Sequence, residues 1–138
     1  MIIINEDTMK YFEDDPVRPH IDWLSRIQGN KTALAISEDG INPDAVICCA
    51  FCNDVPKTEL DLDNEGNVAV FYTVWSYKRG SGTQMVFDAV EWIKKNKPDV
   101  NRFVTLSPPT EMARKFHLRN GAFELSVNEN TVNYEYEV

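Results

Sequence analysis

Nowhere does the chain carry the ~20 consecutive apolar residues that a membrane-crossing helix needs. Its opening, Met1-Ile2-Ile3-Ile4-Asn5-Glu6-Asp7, turns acidic after three apolar residues and has no basic leader. No secretory signal is expected from such a start, and the reading is a cytoplasmic protein without a membrane partner. Histidine is scarce, limited to His20 and His117. Cysteine is confined to Cys48, Cys49 and Cys52, an odd and clustered set that gives no disulfide framework and suits a reducing compartment. Cys49 and Cys52 have the spacing of half a zinc site, but no second Cys or His pair follows, so no metal is expected. Residues 45–52 read instead as a buried strand in which cysteine acts as a small hydrophobe. Basic residues are outnumbered 14 to 22, for a formal charge of −8. That balance opposes nucleic acid and favours a cationic partner, although an acidic surface also simply keeps a protein soluble.

What is present fits one folded domain over residues 1–138, with 43% hydrophobic and 11% aromatic residues to fill a core. No repeat and no Gly/Ser-rich linker divides it. Residues 1–4 suggest an edge strand. Pro16 and Pro19 interrupt the next stretch, and residues 21–27 space their apolar side chains as a short helix ended by Gly29. Two β-compatible runs, 32–37 and 45–51, flank a turn-forming stretch and predict an antiparallel hairpin. Residues 57–66 form an acidic loop, with Glu59, Asp61, Asp63 and Glu65, that reads as solvated surface. The run 67–75, nearly all β-branched or aromatic, predicts a central strand covered on both faces.

A helix is predicted over 83–95, where Met85, Val86, Ala89, Trp92 and Ile93 share a face and lysines gather at the C-terminal end. Residues 102–107 form a further strand. Thr110 then N-caps a helix that runs to Arg119 and closes at Gly121. Residues 122–127 and 131–136 make a terminal hairpin. The order predicts an α/β (α+β) fold: a mixed, largely antiparallel central sheet of about six to seven strands flanked by helices.

The junction that carries chemistry is a strand, a Gly-containing turn and a helix, with Lys78-Arg79-Gly80-Ser81-Gly82-Thr83 at its centre. Backbone N–H groups at such a helix start point outward unpaired, and with the positive end of the dipole they form an anion site suited to phosphates. Glycine lets the backbone approach a ligand closely, and Lys78 and Arg79 add positive charge. The spacing is not that of a P-loop, and Met85 stands where a dinucleotide fingerprint needs its third Gly. On the turn alone, a plain tight turn or a nucleotide-binding α/β protein stays open.

Residues 79–84, Arg-Gly-Ser-Gly-Thr-Gln, resemble the pyrophosphate loop of the GCN5-related N-acetyltransferases (GNAT), in which Arg or Gln is followed by two residues, Gly, one residue, and Gly or Ala. Gln84 departs from the small last residue. A second segment, Thr110-Glu111-Met112-Ala113-Arg114-Lys115-Phe116-His117 and on to Gly121-Ala122, is similar to the family's later motif. Ala113, Phe116 and Gly121 match, while Thr110 stands for the usual Asn, His117 for Tyr and Ala122 for Phe. The stretch from Val68 to Arg79 also resembles small acetyltransferase-like proteins of tailed phages.

The resemblance implies an acyl-coenzyme A held between the strand before the loop and the next parallel strand. The backbone of Tyr72, Thr73 and Val74 would pair with the pantetheine arm. Lys78, Arg79, Gly80, Ser81, Gly82, Thr83 and Gln84 would hold the pyrophosphate, with Thr110 also at the cofactor. It implies acetyl-CoA as co-substrate, direct transfer to an amine-bearing acceptor, and His117 as the group that protonates the departing thiolate; a homodimer is within its range. His117 packed as a structural residue, and a non-catalytic module retaining the fold for CoA or protein binding, are the competing expectations.

Overall fold

The computed structural model describes the backbone of all 138 residues and the side chains of all but residues 9–11. Its nine named elements, in chain order, are β1 (Ile2–Ile3), β2 (Lys31–Ile36), β3 (Ala45–Cys52), β4 (Val68–Ser76), α1 (Ser81–Asn96), β5 (Arg102–Thr105), α2 (Glu111–Arg119), β6 (Phe123–Val127) and β7 (Val132–Tyr136). The strands form one seven-stranded sheet ordered β1-β2-β3-β4-β5-β7-β6. Every neighbouring pair is antiparallel except β4 and β5, which run parallel because α1 carries the chain back over the sheet between them. The mixed, largely antiparallel sheet expected from the element order is the one observed.

Two cores lie on the two faces. On one, α1 sets Met85, Val86, Ala89, Val90 and Ile93 against Leu34, Ile47, Phe71, Phe103 and Tyr134. All five α1 residues are buried, and each of the four larger ones contributes roughly 1.5–3 kcal/mol of burial before ordering costs. The opposite face, with Tyr72, Trp75, Cys48 and Leu106, is covered by Ile4 and Phe12 of the N-terminal segment. β3 is buried over its whole length, its three cysteines included, which is why it reads as an unbroken apolar run rather than an alternating one. Burial pushes the Cys48 thiol up to about 12, so it stays a protonated core residue.

Three details differ from the sequence reading. Residues 21–27 are not a helix: only a single 3-10 turn forms, at Leu24–Arg26. The buried Arg26 guanidinium donates to the carbonyls of Ile21 and Arg18 beside this turn. The acidic stretch is not plain solvated loop either. Glu59–Asp63 is a 3-10 turn with a capping box between Thr58 and Asp61, and Glu59 binds buried Arg18. Finally, α1 begins at Ser81, so the glycine loop supplies the helix's own first turn.

Candidate acyl-CoA site

β4 and β5 pair in parallel from Val68↔Arg102 to Phe71↔Thr105, and the Leu106 amide still donates to the Phe71 carbonyl at 3.0 Å. There they part. β5 swings to β7, where Ser107 and Val132 exchange two 2.9 Å backbone bonds. β4 runs on through Ser76 with β3 as its only strand neighbour. The register between β3 and β4 slips at this point, pairing Cys48 with Thr73 and Cys49 with Phe71, so that Tyr72 is the extra residue of a β-bulge. The bulge bends β4 away from β5 and opens a groove of about 560 Å³.

The groove is lined on one side by Tyr72, Thr73, Val74, Trp75 and Ser76, and on the other by Leu106, Ser107 and Pro108. Gly82 and Val86 of α1, and Thr110, Ala113, Phe116 and His117 of α2, close its far wall. Thus Gly82 from the first motif and Thr110, Ala113, Phe116 and His117 from the second border one opening, while the other residues of 78–84 do not line it. Lys78, Arg79, Gly80 and Ser81 are not among the lining residues but connect Ser76 to Gly82, which are, and Gly80 adopts φ +85 and turns the chain into α1. No side chain caps this helix start. A Cβ on Gly82 would come within 3.2 Å of the Phe116 ring, so the glycine permits α1 and α2 to close on each other at the groove. An open, dipole-favoured helix start beside a narrow split fits a diphosphate attached to a long thin arm.

The charges at the loop are not equivalent. Lys78 is tied to Glu38 at 2.6 Å. Arg79 is exposed and makes no ion pair among the described residues. Thr83 is turned to Asn120 at the end of α2, donating to Oδ1 at 2.9 Å, and Gln84 donates to Asp88 at 2.6 Å. The Thr110 hydroxyl accepts the Ala113 amide at 3.2 Å and is the N-cap of α2, as its spacing suggested.

His117 is buried beside the groove. Its Nδ1 lies 2.7 Å from the Tyr136 hydroxyl, and its ring stacks on Tyr134 with centroids 5.1 Å apart. Burial without a compensating anion lowers its pKa to about 4, so the ring is neutral near neutral pH. The same burial pushes Tyr136 up to about 12.

The sequence reading named no site residue in the N-terminal segment, yet that segment contributes. Pro16 and Val17 line the groove. Next to them Arg18 reaches under the split: one terminal nitrogen donates to the Tyr72 carbonyl, and Nη2 donates to the Leu106 carbonyl at 3.0 Å. Its Nε pairs with Glu59 at 2.9 Å. Asp15 receives the amides of Val17 and Arg18, the Thr73 hydroxyl at 3.0 Å and Arg26 at 2.6 Å. Burial alone would raise the Asp15 pKa, but these donors outweigh it and hold the carboxylate below its ordinary value. The only signal available in the sequence was a pair of arginines among prolines in an acidic chain.

No family model matches the sequence, and no curated protein matches it. Solved structures do. The chain is similar to a malonyl-CoA decarboxylase from Agrobacterium vitis with a TM-score of 0.81 and 16% identity, covering 99% of this chain and 60% of that one. It is similar to the GNAT domain of S. lividans PAT, TM-score 0.66 and 13% identity, over 99% and 89% of the two chains. An acetyltransferase from Bacillus subtilis, solved in complex with CoA, gives TM-score 0.64 and 13% identity over 99% and 97%. The chain thus spans about 60% of the decarboxylase chain and nearly all of the acetyltransferase. At these identities the likeness establishes the fold: this is a GNAT-fold protein.

Proposed function

We propose that this chain is a single GNAT domain that binds acetyl-CoA in the β4/β5 groove and transfers the acetyl group to a primary amine by direct attack. The observation that carries this reading is the parting of two parallel strands beyond Phe71, directly in front of an uncapped helix start at Ser81. Acetyl-CoA would supply an activated thioester. The amide hydrogens of the first turn of α1 and the Arg79 guanidinium would hold its diphosphate, and the backbone of β4 past Tyr72 would align the arm. Val17, Pro108 and Leu106, which line the groove, would border the reacting end. A neutral amine attacks the carbonyl carbon, the C–N bond forms as the C–S bond breaks, and one amine proton ends on sulfur. The acidic surface favours a cationic acceptor over nucleic acid, and a cytoplasmic location would supply the co-substrate.

The test is calorimetric titration with CoA, together with thiol release from acetyl-CoA against polyamines, aminoglycosides, amino acids and peptides. CoA binding with turnover of one amine class is expected. Binding without turnover would make the chain a non-catalytic CoA module, and absence of both would overturn the reading.

The full-length likeness to a malonyl-CoA decarboxylase favours a second reading in which malonyl-CoA is the substrate. It predicts release of CO2 and acetyl-CoA from malonyl-CoA with no amine present, which an acetyltransferase would not give.

A further inference from the structure

A second cavity, of about 760 Å³, lies beside the groove, and Val17 and Pro108 line both. Arg18 also lines the second cavity, and it donates to the carbonyls of Tyr72 and Leu106, which line the first. The two openings therefore adjoin at the split between β4 and β5. Two segments supply most of the remaining wall: residues 57–60, and residues 127–131 at the turn between β6 and β7. They are fastened together. The Thr131 hydroxyl donates to the Lys57 carbonyl at 2.6 Å, and fully buried Asn133 donates to the Pro56 carbonyl at 2.8 Å.

Four charged side chains line this cavity: Arg18, Lys57, Glu59 and Glu129. Arg18 and Glu59 neutralise each other at 2.9 Å, and His20 meets Glu59 at the same distance. The Lys57 ammonium and the Glu129 carboxylate are exposed and make no ion pair among the described residues. The chain's overall charge of −8 draws cations from a distance, but a molecule in contact here meets one free charge of each sign. A polyamine would set like charge against Lys57, and a simple acid would set it against Glu129. A zwitterion complements both. Leu60 and Val127, both largely exposed, face the same cavity as Val17 and Pro108. One exposed aliphatic side chain is ordinary, whereas four around a single cavity offer a seat to an apolar body.

We propose that the second cavity receives the acceptor, and that this acceptor is an apolar α-amino acid. Lys57 meets its carboxylate, Glu129 draws its ammonium, and Leu60 and Val127 take its side chain. The ammonium gives one proton to water. The neutral amine then takes the acetyl group at the split, and a second nitrogen proton goes to the CoA sulfur as the C–S bond breaks. The products are an N-acetyl amino acid and CoA. The transfer rests on the acyl-CoA reading above, whereas the choice of a zwitterion rests on the charges of the cavity.

Three acceptors separate the possibilities: leucine, leucinamide (the same amine and side chain without the carboxylate) and spermidine. With acetyl-CoA, thiol release should give leucine a kcat/KM about fivefold or more above the other two, the upper range for an exposed ion pair. Lys57→Glu should abolish that preference, and Glu129→Lys should weaken leucine and leucinamide alike. Both substitutions lie on the surface, and unfolding midpoints check that the variants fold. Binding is read separately from 1H–15N spectra, in which leucine should shift the amide signals of residues 127–131. Shifts at 127–131 with no thiol release from any amine would uphold the site and overturn the transfer reading. Leucine that leaves 127–131 unmoved, or leucinamide or spermidine used as well as leucine, overturns the proposal.

Discussion

Arg18 donates a hydrogen bond to the carbonyl of Tyr72, a residue 54 positions further along the chain and the extra residue of the β4 bulge. Its other terminal nitrogen holds Leu106 on the opposite lip. One buried guanidinium therefore bridges the two strands where their own ladder ends. This accounts for carbonyls that would otherwise be buried and unpaired.

Replacing Arg18 should be costly. In Arg18→Met the Tyr72 and Leu106 carbonyls lose their donor and Glu59 loses its partner, and the expected loss is on the order of 3 kcal/mol. Arg18→Lys should recover only part of this, because an ammonium cannot present the same planar fork to two carbonyls and a carboxylate. Urea unfolding midpoints of the three proteins measure it. An unchanged midpoint in Arg18→Met would mean that the bridge contributes nothing.

The two basic residues of the loop should behave differently in CoA binding. Arg79 has no competing carboxylate, so Arg79→Gln is expected to weaken CoA by about tenfold at low salt, with the difference shrinking as salt is added. Lys78 is held by exposed Glu38, and Lys78→Gln should change affinity by less than about threefold. Calorimetric titrations at two salt concentrations separate the cases, and equal losses would remove the distinction.

How much of this was readable in advance follows from the range of each interaction. The strand–helix–strand order around α1 implies a parallel pair, and the apolar faces of 83–95 and the buried run 45–52 are local patterns. The N-cap role of Thr110 is local too. The bulge at Tyr72 is not, since its cause is the register with β3 and the guanidinium of Arg18. Nor is the partner of His117: alternation places Tyr136 on a face of β7 without saying that α2 brings a histidine to it. Arg26, in the stretch 21–27 where a helix was expected, is likewise tied to a residue outside that stretch, for its charge is anchored on Asp15 inside the fold.

Acid should destabilise the protein through His117. Its folded pKa of about 4 lies below the ordinary histidine value of 6.5, so as pH falls the unfolded chain takes up the proton first. Stability from this group is complete above about pH 6.5 and falls as pH drops through the window between the two values. The full loss is on the order of 3 kcal/mol. His117→Gln removes the titration, so its urea midpoint should fall less than that of the unsubstituted protein between pH 7 and pH 4.5. Parallel falls would place the acid sensitivity elsewhere.

The two loop glycines should fail in different ways. Gly80 has φ +85 with open space where a Cβ would go, so Gly80→Ala meets no clash but strains the backbone at a cost of about 1 kcal/mol. The strain lies at the turn that aims the helix start, and it should appear in the unfolding midpoint first. Gly82 has ordinary helical backbone, but its Cβ would stand 3.2 Å from Phe116, a ring on the groove wall. Gly82→Ala is therefore expected to move Phe116 into the space proposed for the pantetheine end of the ligand. CoA affinity should drop by roughly tenfold while the unfolding free energy changes by less than about 1 kcal/mol. Calorimetry and urea unfolding on both variants give four numbers. If Gly82→Ala lost stability and kept its affinity, the close approach of α1 to α2 would be a packing feature of the fold and not a wall of the site.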